Sequence, residues 1–120
     1  MQDMRSVIII TSEVEFTRWV RTQATEGYGW MVYHSYDSRR SDGAGFPDLV
    51  MVRGGRVIFA ELKYDKGYAD WDERRPKRRG KISDAQQEWL DALGDVFGVE
   101  CYVWKYPDSL ENDVLLRILE

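Results

Sequence analysis

The sequence predicts an α/β fold of the mixed α+β kind, in which a central mixed sheet is flanked by helices. Two stretches carry apolar residues at the period of a helix, and four others have the pattern of strands, two of them joined as a hairpin. The predicted order is α-β-β-β-α-β, and such alternation packs helices onto the faces of a sheet. A chain of 120 residues without a long linker or an internal repeat is expected to form one domain, 1–120.

The first predicted element is a helix that is capped by Thr11 or Ser12 and runs to about Glu26. A cap residue followed by acids in the first turn is a helix-start signal, because the helix dipole favours negative charge there. Residues 1–10 are left unassigned, with an edge strand as one option. The inner stripe of the helix is predicted to comprise Phe16, Trp19, Val20 and Gln23.

A β-hairpin with strands over about 48–53 and 56–64 is the central feature of the chain. The dipeptide Gly54-Gly55 separates the two apolar strands and tolerates the positive φ angles of a two-residue turn. If these glycines are the whole loop, Arg53 faces Arg56, and this register fixes every other pair of the hairpin.

The same register places Asp48 directly opposite Glu61, and the alternation of side chains places Lys63 on the face of Glu61. Like charges so placed repel each other, so the pair requires an explanation. One explanation is a divalent cation. The other is a solvated sheet edge where Lys63 neutralises one acid, and the triplet taken alone favours this second explanation.

The remaining elements are predicted from shorter signals. A strand covers 29–34 and a polar loop covers 35–46, while a second helix is capped by Ser83 and runs to about Leu93. The last segments are predicted to be a strand at 99–104 and a turn or short helix at 107–112. A final element is predicted at 114–119, with a strand as its one interpretation.

Composition excludes several classes of protein. The five Trp and seven Tyr indicate a folded globule, and the single cysteine, Cys101, excludes an internal disulfide and a thiolate zinc cluster. No stretch approaches the roughly 20 apolar residues of a membrane span, and a lone cysteine suits a reducing compartment. A cytoplasmic location is therefore expected. A net charge of −4 is not typical of a protein that simply coats DNA.

The hairpin carries a resemblance to a nuclease family. Pro47-Asp48 followed by Glu61-Leu62-Lys63 resembles the Pro-Asp…Asp/Glu-x-Lys signature of the PD-(D/E)XK, or restriction-endonuclease-like, superfamily. The fuller string from Gly45 to Leu49 resembles the VRR-NUC (virus-type replication-repair nuclease) branch and its stand-alone, phage-type members. Four further motifs match in order: Glu13-x-Glu15-Phe16, Gly29-Trp30-x-Val32-Tyr33-His34, Ser83-x-x-Gln86 and Val103-Trp104.

The resemblance implies a restriction-endonuclease-like core and a metal-dependent hydrolysis of DNA. Hydrolysis of a phosphodiester requires an activated water and stabilised charge on the phosphate and the leaving oxygen, and a hard cation serves all three needs. Asp48 and Glu61 are expected to bind Mg²⁺ or Mn²⁺ together with the backbone carbonyl of Leu62. Lys63 is expected to orient or deprotonate the water, or to neutralise the phosphorus centre. An ordinary ion pair between Asp48 and Lys63 is the alternative.

Each predicted helix offers the site one more residue. Either Glu13 or Glu15 could supply a further metal ligand, and Glu13 is preferred because it shares a helix face with Phe16. The alternative for both residues is that the acid binds no metal and only complements the helix dipole. From the second helix, the resemblance implies that Gln86 is catalytic and contacts a water ligand of the cation or a phosphate; a plain surface amide is the alternative.

The predicted nucleic-acid contacts are cationic. His34 is the last residue of a predicted strand and precedes a polar loop, which suits a phosphate contact better than a catalytic base. The segment 65–82 is an insertion relative to the family, and a connection this long is typically functional or disordered. Its basic cluster is expected to contact phosphates, with Tyr68 or Trp71 stacking on an unpaired base, and a solvated loop is the alternative. The cationic candidates are His34, Arg39, Arg40, Arg74, Arg75, Lys77, Arg78, Arg79 and Lys81.

The predicted function is thus an Mg²⁺- or Mn²⁺-dependent deoxyribonuclease, selective for branched, flapped or junction DNA in replication, repair or recombination. The resemblance to stand-alone phage members implies a homodimer, replication or repair proteins as partners, and the cytoplasm of a bacterial host. Two alternatives stay open: a catalytically inactive nucleic-acid-binding module on the same fold, and a partner-binding protein whose acidic face is a solvated sheet edge.

Overall fold

A computed structural model of the chain describes residues 10–35, 43–64 and 82–120. Its elements follow the predicted order, with a helical segment added at the end. They are α1 (Glu13–Thr22), a π-helical turn (Gln23–Gly27), β1 (Met31–His34), β2 (Leu49–Arg53), β3 (Arg56–Tyr64), α2 (Asp84–Gly94), β4 (Val99–Tyr106), a 3₁₀ turn (Asp108–Asp113) and α3 (Val114–Leu119).

The first helix begins where the sequence predicts. The Ser12 side chain accepts a hydrogen bond from the backbone N–H of Glu15, which satisfies one of the unpaired donors of the first turn. The helical path continues through the π-helical turn and ends at Gly27. Its inner face buries Phe16 and Val20 completely.

The four strands form one mixed sheet in the order β1-β2-β3-β4. The first two pairings are antiparallel and the β3–β4 pairing is parallel. The hairpin has the predicted register, with Arg53 paired to Arg56 across Gly54 and Gly55, whose φ angles are 54° and 81°. Positive φ at both central residues is the requirement of a tight hairpin turn that follows the twist of the strands.

The two faces of the sheet have different roles. One face is fully buried against α1 and α3, and it carries the apolar core residues Leu49, Met51, Ile58, Ala60 and Leu62. Because side chains alternate along a strand, Glu61 and Lys63 project from the opposite face. Helix α2 lies on that opposite face, where the side chain of Gln86 contacts Glu61.

The strand considered for 114–119 is wrong, since this segment forms helix α3. Leu115 and Leu119, four residues apart, are both fully buried, which is the spacing of one helix face. Across the residues that the structure describes, no helix combines the length and the apolar character needed to cross a membrane.

The hairpin end of the sheet holds the end of α3. Guanidinium groups of Arg53 and Arg56 lie over the Trp30 ring, 4.7 and 5.0 Å from its centroid. Arg53 and the Trp30 indole both donate to the carbonyl of Leu119 over 2.9 Å. Arg56 also pairs with Glu100 at 2.7 Å. These donors satisfy carbonyls that the last turn of a helix leaves unpaired.

Candidate active site

Two carboxyl groups meet at the end of the hairpin that lies away from its turn. The β2–β3 ladder ends at the pair of Leu49 with Ala60, and one further step of the register places Asp48 opposite Glu61, as predicted. With β2 ended, the N–H of Leu62 donates instead to Oδ2 of Asp48 over 2.8 Å. The Asp48 carboxyl is therefore fixed beside Glu61.

Glu61 is buried, with only 2% of its surface exposed. Its pKa is raised to about 9, first by burial, then by hydrogen bonding to Asp48 and by the charge of that acid, while Lys63 opposes the rise. A buried carboxyl beside another acid favours its neutral form. The metal-free pair therefore retains a proton at neutral pH.

The side chain of Gln86 connects α2 to this acid. Its Oε1 accepts the backbone N–H of Ser83 over 2.9 Å, and its Nε2 donates to Oε1 of Glu61 over 3.1 Å. A backbone N–H can only donate, so the contact with Ser83 fixes which end of the amide is the oxygen and leaves Nε2 to donate to Glu61. Gln86 thus completes the capping box of α2 and orients the buried acid with the same side chain.

The chain before Asp48 is packed closely against α2. Gly45 has a φ of +85°, and a Cβ atom added there would lie 2.5 Å from the carbonyl carbon of Ala85 and 2.7 Å from the backbone nitrogen of Gln86. The ring of Phe46 packs edge-on against Trp89, with the centroids 5.0 Å apart. Only glycine fits at position 45, and this fit sets the distance between the hairpin and α2.

Of the two acids in the first turn of α1, the structure brings Glu13 and not Glu15 toward the pair. The pKa of Glu13 is raised by partial burial and by the charge of Asp48, and it is lowered by Lys63. The carboxylate of Glu15 instead accepts hydrogen bonds from the backbone and the hydroxyl of Thr11, which lower its pKa.

The pair has the character of a site for a hard cation. Among the described N–H and O–H groups, none donates to Oε2 of the buried Glu61. The N–H and C=O of a strand residue point to the same side, so the Leu62 carbonyl faces the side of Asp48. Two carboxylates, a carbonyl and water suit Mg²⁺. Within 10–35, 43–64 and 82–120, no group of three or more His, Cys, Asp or Glu side chains is placed to hold a metal ion.

A cavity of about 420 Å³ reaches Asp48 from the side of α1. Glu13, Asp48 and His34 line it, together with Arg18 and Arg21. The pKa of His34 is lowered by burial and by the charge of Arg21, while Asp48 opposes this effect. The sequence reasoning did not select the two arginines. Helix periodicity was the available signal, because Arg18 and Arg21 follow Val14 by four and seven residues and therefore share its helix face.

Several predicted site residues lie outside the described ranges. The loop arginines fall within 36–42, and the basic cluster and its neighbouring aromatic residues fall within 65–81. Their predicted contacts with nucleic acid therefore stay predictions. These residues are Arg39, Arg40, Tyr68, Trp71, Arg74, Arg75, Lys77, Arg78, Arg79 and Lys81.

Comparison with known proteins supports this arrangement at the level of the fold. The structure superimposes on a solved structure described as a VRR_NUC domain protein, with a TM-score of 0.58 over 92% of this chain and 91% of that one. The fold is that of a VRR_NUC domain. The predicted restriction-endonuclease-like fold class is thereby confirmed. Sequence identity in the superposition is 20%, so the VRR_NUC likeness is one of architecture. No protein-family model and no curated protein matches the sequence.

Proposed function

We propose that this protein is a metal-dependent endonuclease that hydrolyses DNA phosphodiester bonds at the Asp48–Glu61 pair. The observation that carries the proposal is the buried carboxyl of Glu61, which Gln86 holds beside Asp48 and whose Oε2 has no hydrogen-bond donor among the described residues. A structural acid at a sheet edge would be solvated or paired with a cation. The VRR_NUC fold supports the same assignment.

Asp48, Glu61 and the Leu62 carbonyl would hold Mg²⁺ or Mn²⁺. When bound, such a cation supplies Lewis-acid stabilisation of charge on the phosphate and lowers the pKa of water. Glu13 stands apart from the pair and would be a fourth group that holds the cation. Because Mg²⁺ retains several water ligands, Glu13 would contact the cation through one of these waters.

The chain's own residues have distinct roles in this proposal. Gln86 orients Glu61, and the Leu62 N–H orients Asp48, so that both carboxylates are placed before the substrate arrives. Lys63, on the same face as Glu61, would orient or deprotonate the attacking water, or offset charge on the phosphorus centre. The water oxygen forms a bond to phosphorus while the bond to the leaving oxygen breaks, and that oxygen takes up a proton.

The finer assignments rest on the sequence resemblance. They are selectivity for branched, flapped or junction DNA, a homodimer, replication or repair proteins as partners, a phage-type origin and the cytoplasm of a bacterial host. Each remains a prediction.

Cleavage of plasmid DNA and of a synthetic four-way junction tests the proposal. We expect cutting with Mg²⁺ or Mn²⁺ that stops in EDTA, and in Asp48→Asn and Lys63→Ala. Asp95→Asn is the matched control, because Asp95 is exposed beyond the far end of α2. Cleavage that persists in EDTA or in Asp48→Asn would contradict the mechanism. Binding without cutting by the wild type would support the inactive binding module, and neither binding nor cutting would support a partner-binding protein.

A further inference from the structure

Arg18 and Arg21 line two cavities on the same side of the molecule. The first, of about 420 Å³, reaches Asp48. The second, of about 280 Å³, reaches Thr25 and Val32. Because both arginines line both cavities, the cavities adjoin, and together they form a groove between the α1 helical run and strand β1.

The groove follows from the spacing of side chains on the helix. Val14, Arg18, Arg21 and Thr25 are separated by four, three and four residues, which places them on one helix face. At 1.5 Å per residue, the helical path from position 13 to position 25 is about 18 Å long. The groove is thus long enough for several nucleotides of a strand, since duplex DNA rises about 3.4 Å per nucleotide.

Charge along the groove changes from one end to the other. Acids stand at the end where the Asp48–Glu61 pair lies, and the two guanidinium groups stand midway along it. A polyanion is repelled by carboxylates, and a protein of net charge −4 gives it no general attraction. A nearby pair of cations is what such a site needs to hold phosphates. Guanidinium groups match phosphate oxygens with paired hydrogen bonds.

We infer that this groove binds the backbone phosphates of the DNA strand whose phosphodiester bond lies at the acid pair. Arg18 and Arg21 each contact a phosphate on one side of the bond that is cut. This inference rests on the proposed nuclease function and adds to it a binding surface that involves neither 36–42 nor 65–81.

The salt dependence of DNA binding tests the inference. Binding is measured in an Asp48→Asn background, in which the DNA stays intact, with and without Arg18→Gln and Arg21→Gln together. Arg117→Gln in the same background is the control, because Arg117 is an exposed arginine on α3, outside the groove. We expect the double substitution to weaken binding at least about tenfold and to reduce the slope of log K against log salt by about 1.4 to 1.8, the value for two phosphate contacts. The control should change neither quantity.

Two further measurements separate the possible failures. Arg18→Lys with Arg21→Lys should keep the slope, since the charges remain, and thermal unfolding of each variant shows whether it folds. A folded Gln variant with the slope of its parent, alongside a wild type that cleaves DNA, would overturn the groove and leave the nuclease assignment intact. A wild type that neither binds nor cleaves DNA would overturn both.

Discussion

The amide of Gln86 holds the buried carboxyl of Glu61, with Nε2 of the one 3.1 Å from Oε1 of the other. Because the same amide also accepts the N–H of Ser83, the start of α2 and the orientation of the acid depend on one side chain. The helix cap is therefore part of the geometry of the candidate active site.

Replacing Gln86 should impair cleavage more than folding. We expect Gln86→Leu to reduce kcat by about 10- to 100-fold, the usual effect of losing a group that orients a metal ligand. The free energy of unfolding should fall by about 1 kcal/mol through the lost capping contact. Gln87→Leu is the control, since the side chain of Gln87 is exposed and bonds only to Asp91 among the described residues. Equal kcat values for the two variants would contradict the orienting role.

The raised pKa of Glu61 predicts how the stability of the metal-free protein changes with pH. The folded-state pKa of about 9 exceeds the ordinary 4.5, so the stabilising contribution of the neutral acid is complete below about pH 4.5 and is lost as the pH rises toward about 9. The slope reaches at most about 1.4 kcal/mol per pH unit.

Urea unfolding of the EDTA-treated protein measures this pH dependence of the free energy of unfolding. The range from pH 5 to 9 covers most of the titration. Glu61→Gln should flatten the profile, because the amide does not titrate. Glu26→Gln, at an exposed site in the π-helical turn, should keep the wild-type profile. A Glu61→Gln profile that declines like the wild type would show that another group is responsible.

Gly45→Ala should separate α2 from the hairpin. The new Cβ atom would meet backbone atoms at 2.5 to 2.7 Å, and the residue would also be held at positive φ. Gly55→Ala is the matched control, because Gly55 has a similar φ of +81° and no neighbouring atom within 4 Å.

Thermal unfolding and cleavage rates distinguish the two glycine variants. Gly55→Ala should cost about 1 kcal/mol of unfolding free energy from backbone strain alone, with cleavage unchanged. Gly45→Ala should cost more and should also reduce cleavage, since Gln86 moves away from Glu61. Similar losses in both variants would mean that strain, and not the close approach to α2, explains the glycine at position 45.

The ion pair between Arg56 and Glu100 should contribute stability at neutral pH. Its hydrogen bonds lower the pKa of Glu100, so the contribution is present above the ordinary 4.5 and is lost as the pH falls through the lowered value. Because the pair is partly exposed, we expect Glu100→Gln to cost about 1 kcal/mol at pH 7. Chemical unfolding should show a smaller difference from wild type at pH 3 than at pH 7, because protonation of Glu100 weakens the pair, and Glu111→Gln, at an exposed position, should show no difference at either pH. A cost that is the same at both pH values would contradict the ionic explanation.

The hairpin was predictable in detail because its register depends only on local sequence. Gly54-Gly55 allows a two-residue turn, and from that turn the pairing of Asp48 with Glu61 follows by counting. The preference for Glu13 likewise used helix periodicity, and Glu13 is the acid that lies toward the pair.

Contacts that depend on tertiary packing were not predictable in the same way. The segment at 114–119 carries apolar residues at nearly every position, so its period distinguishes a helix from a strand poorly. The cavities that Arg18 and Arg21 line depend on the packing of β1 beside α1, which the sequence does not show. The double role of Gln86, which caps α2 through Ser83 and bonds to Glu61, was not predicted, and its expected contact with a water ligand or a phosphate stays a prediction.

Calorimetric titration of Mn²⁺ into the metal-free protein at pH 7 tests the central claim that Asp48 and Glu61 form a cation site. Repeating the titration in buffers of different ionisation enthalpy counts the protons released. We predict one bound cation with release of about one proton, because the raised pKa of Glu61 keeps the pair protonated until the cation binds. Binding should be lost in Asp48→Asn and unaffected in Asp95→Asn. No binding by the wild type, or binding that Asp48→Asn leaves unchanged, would contradict the account.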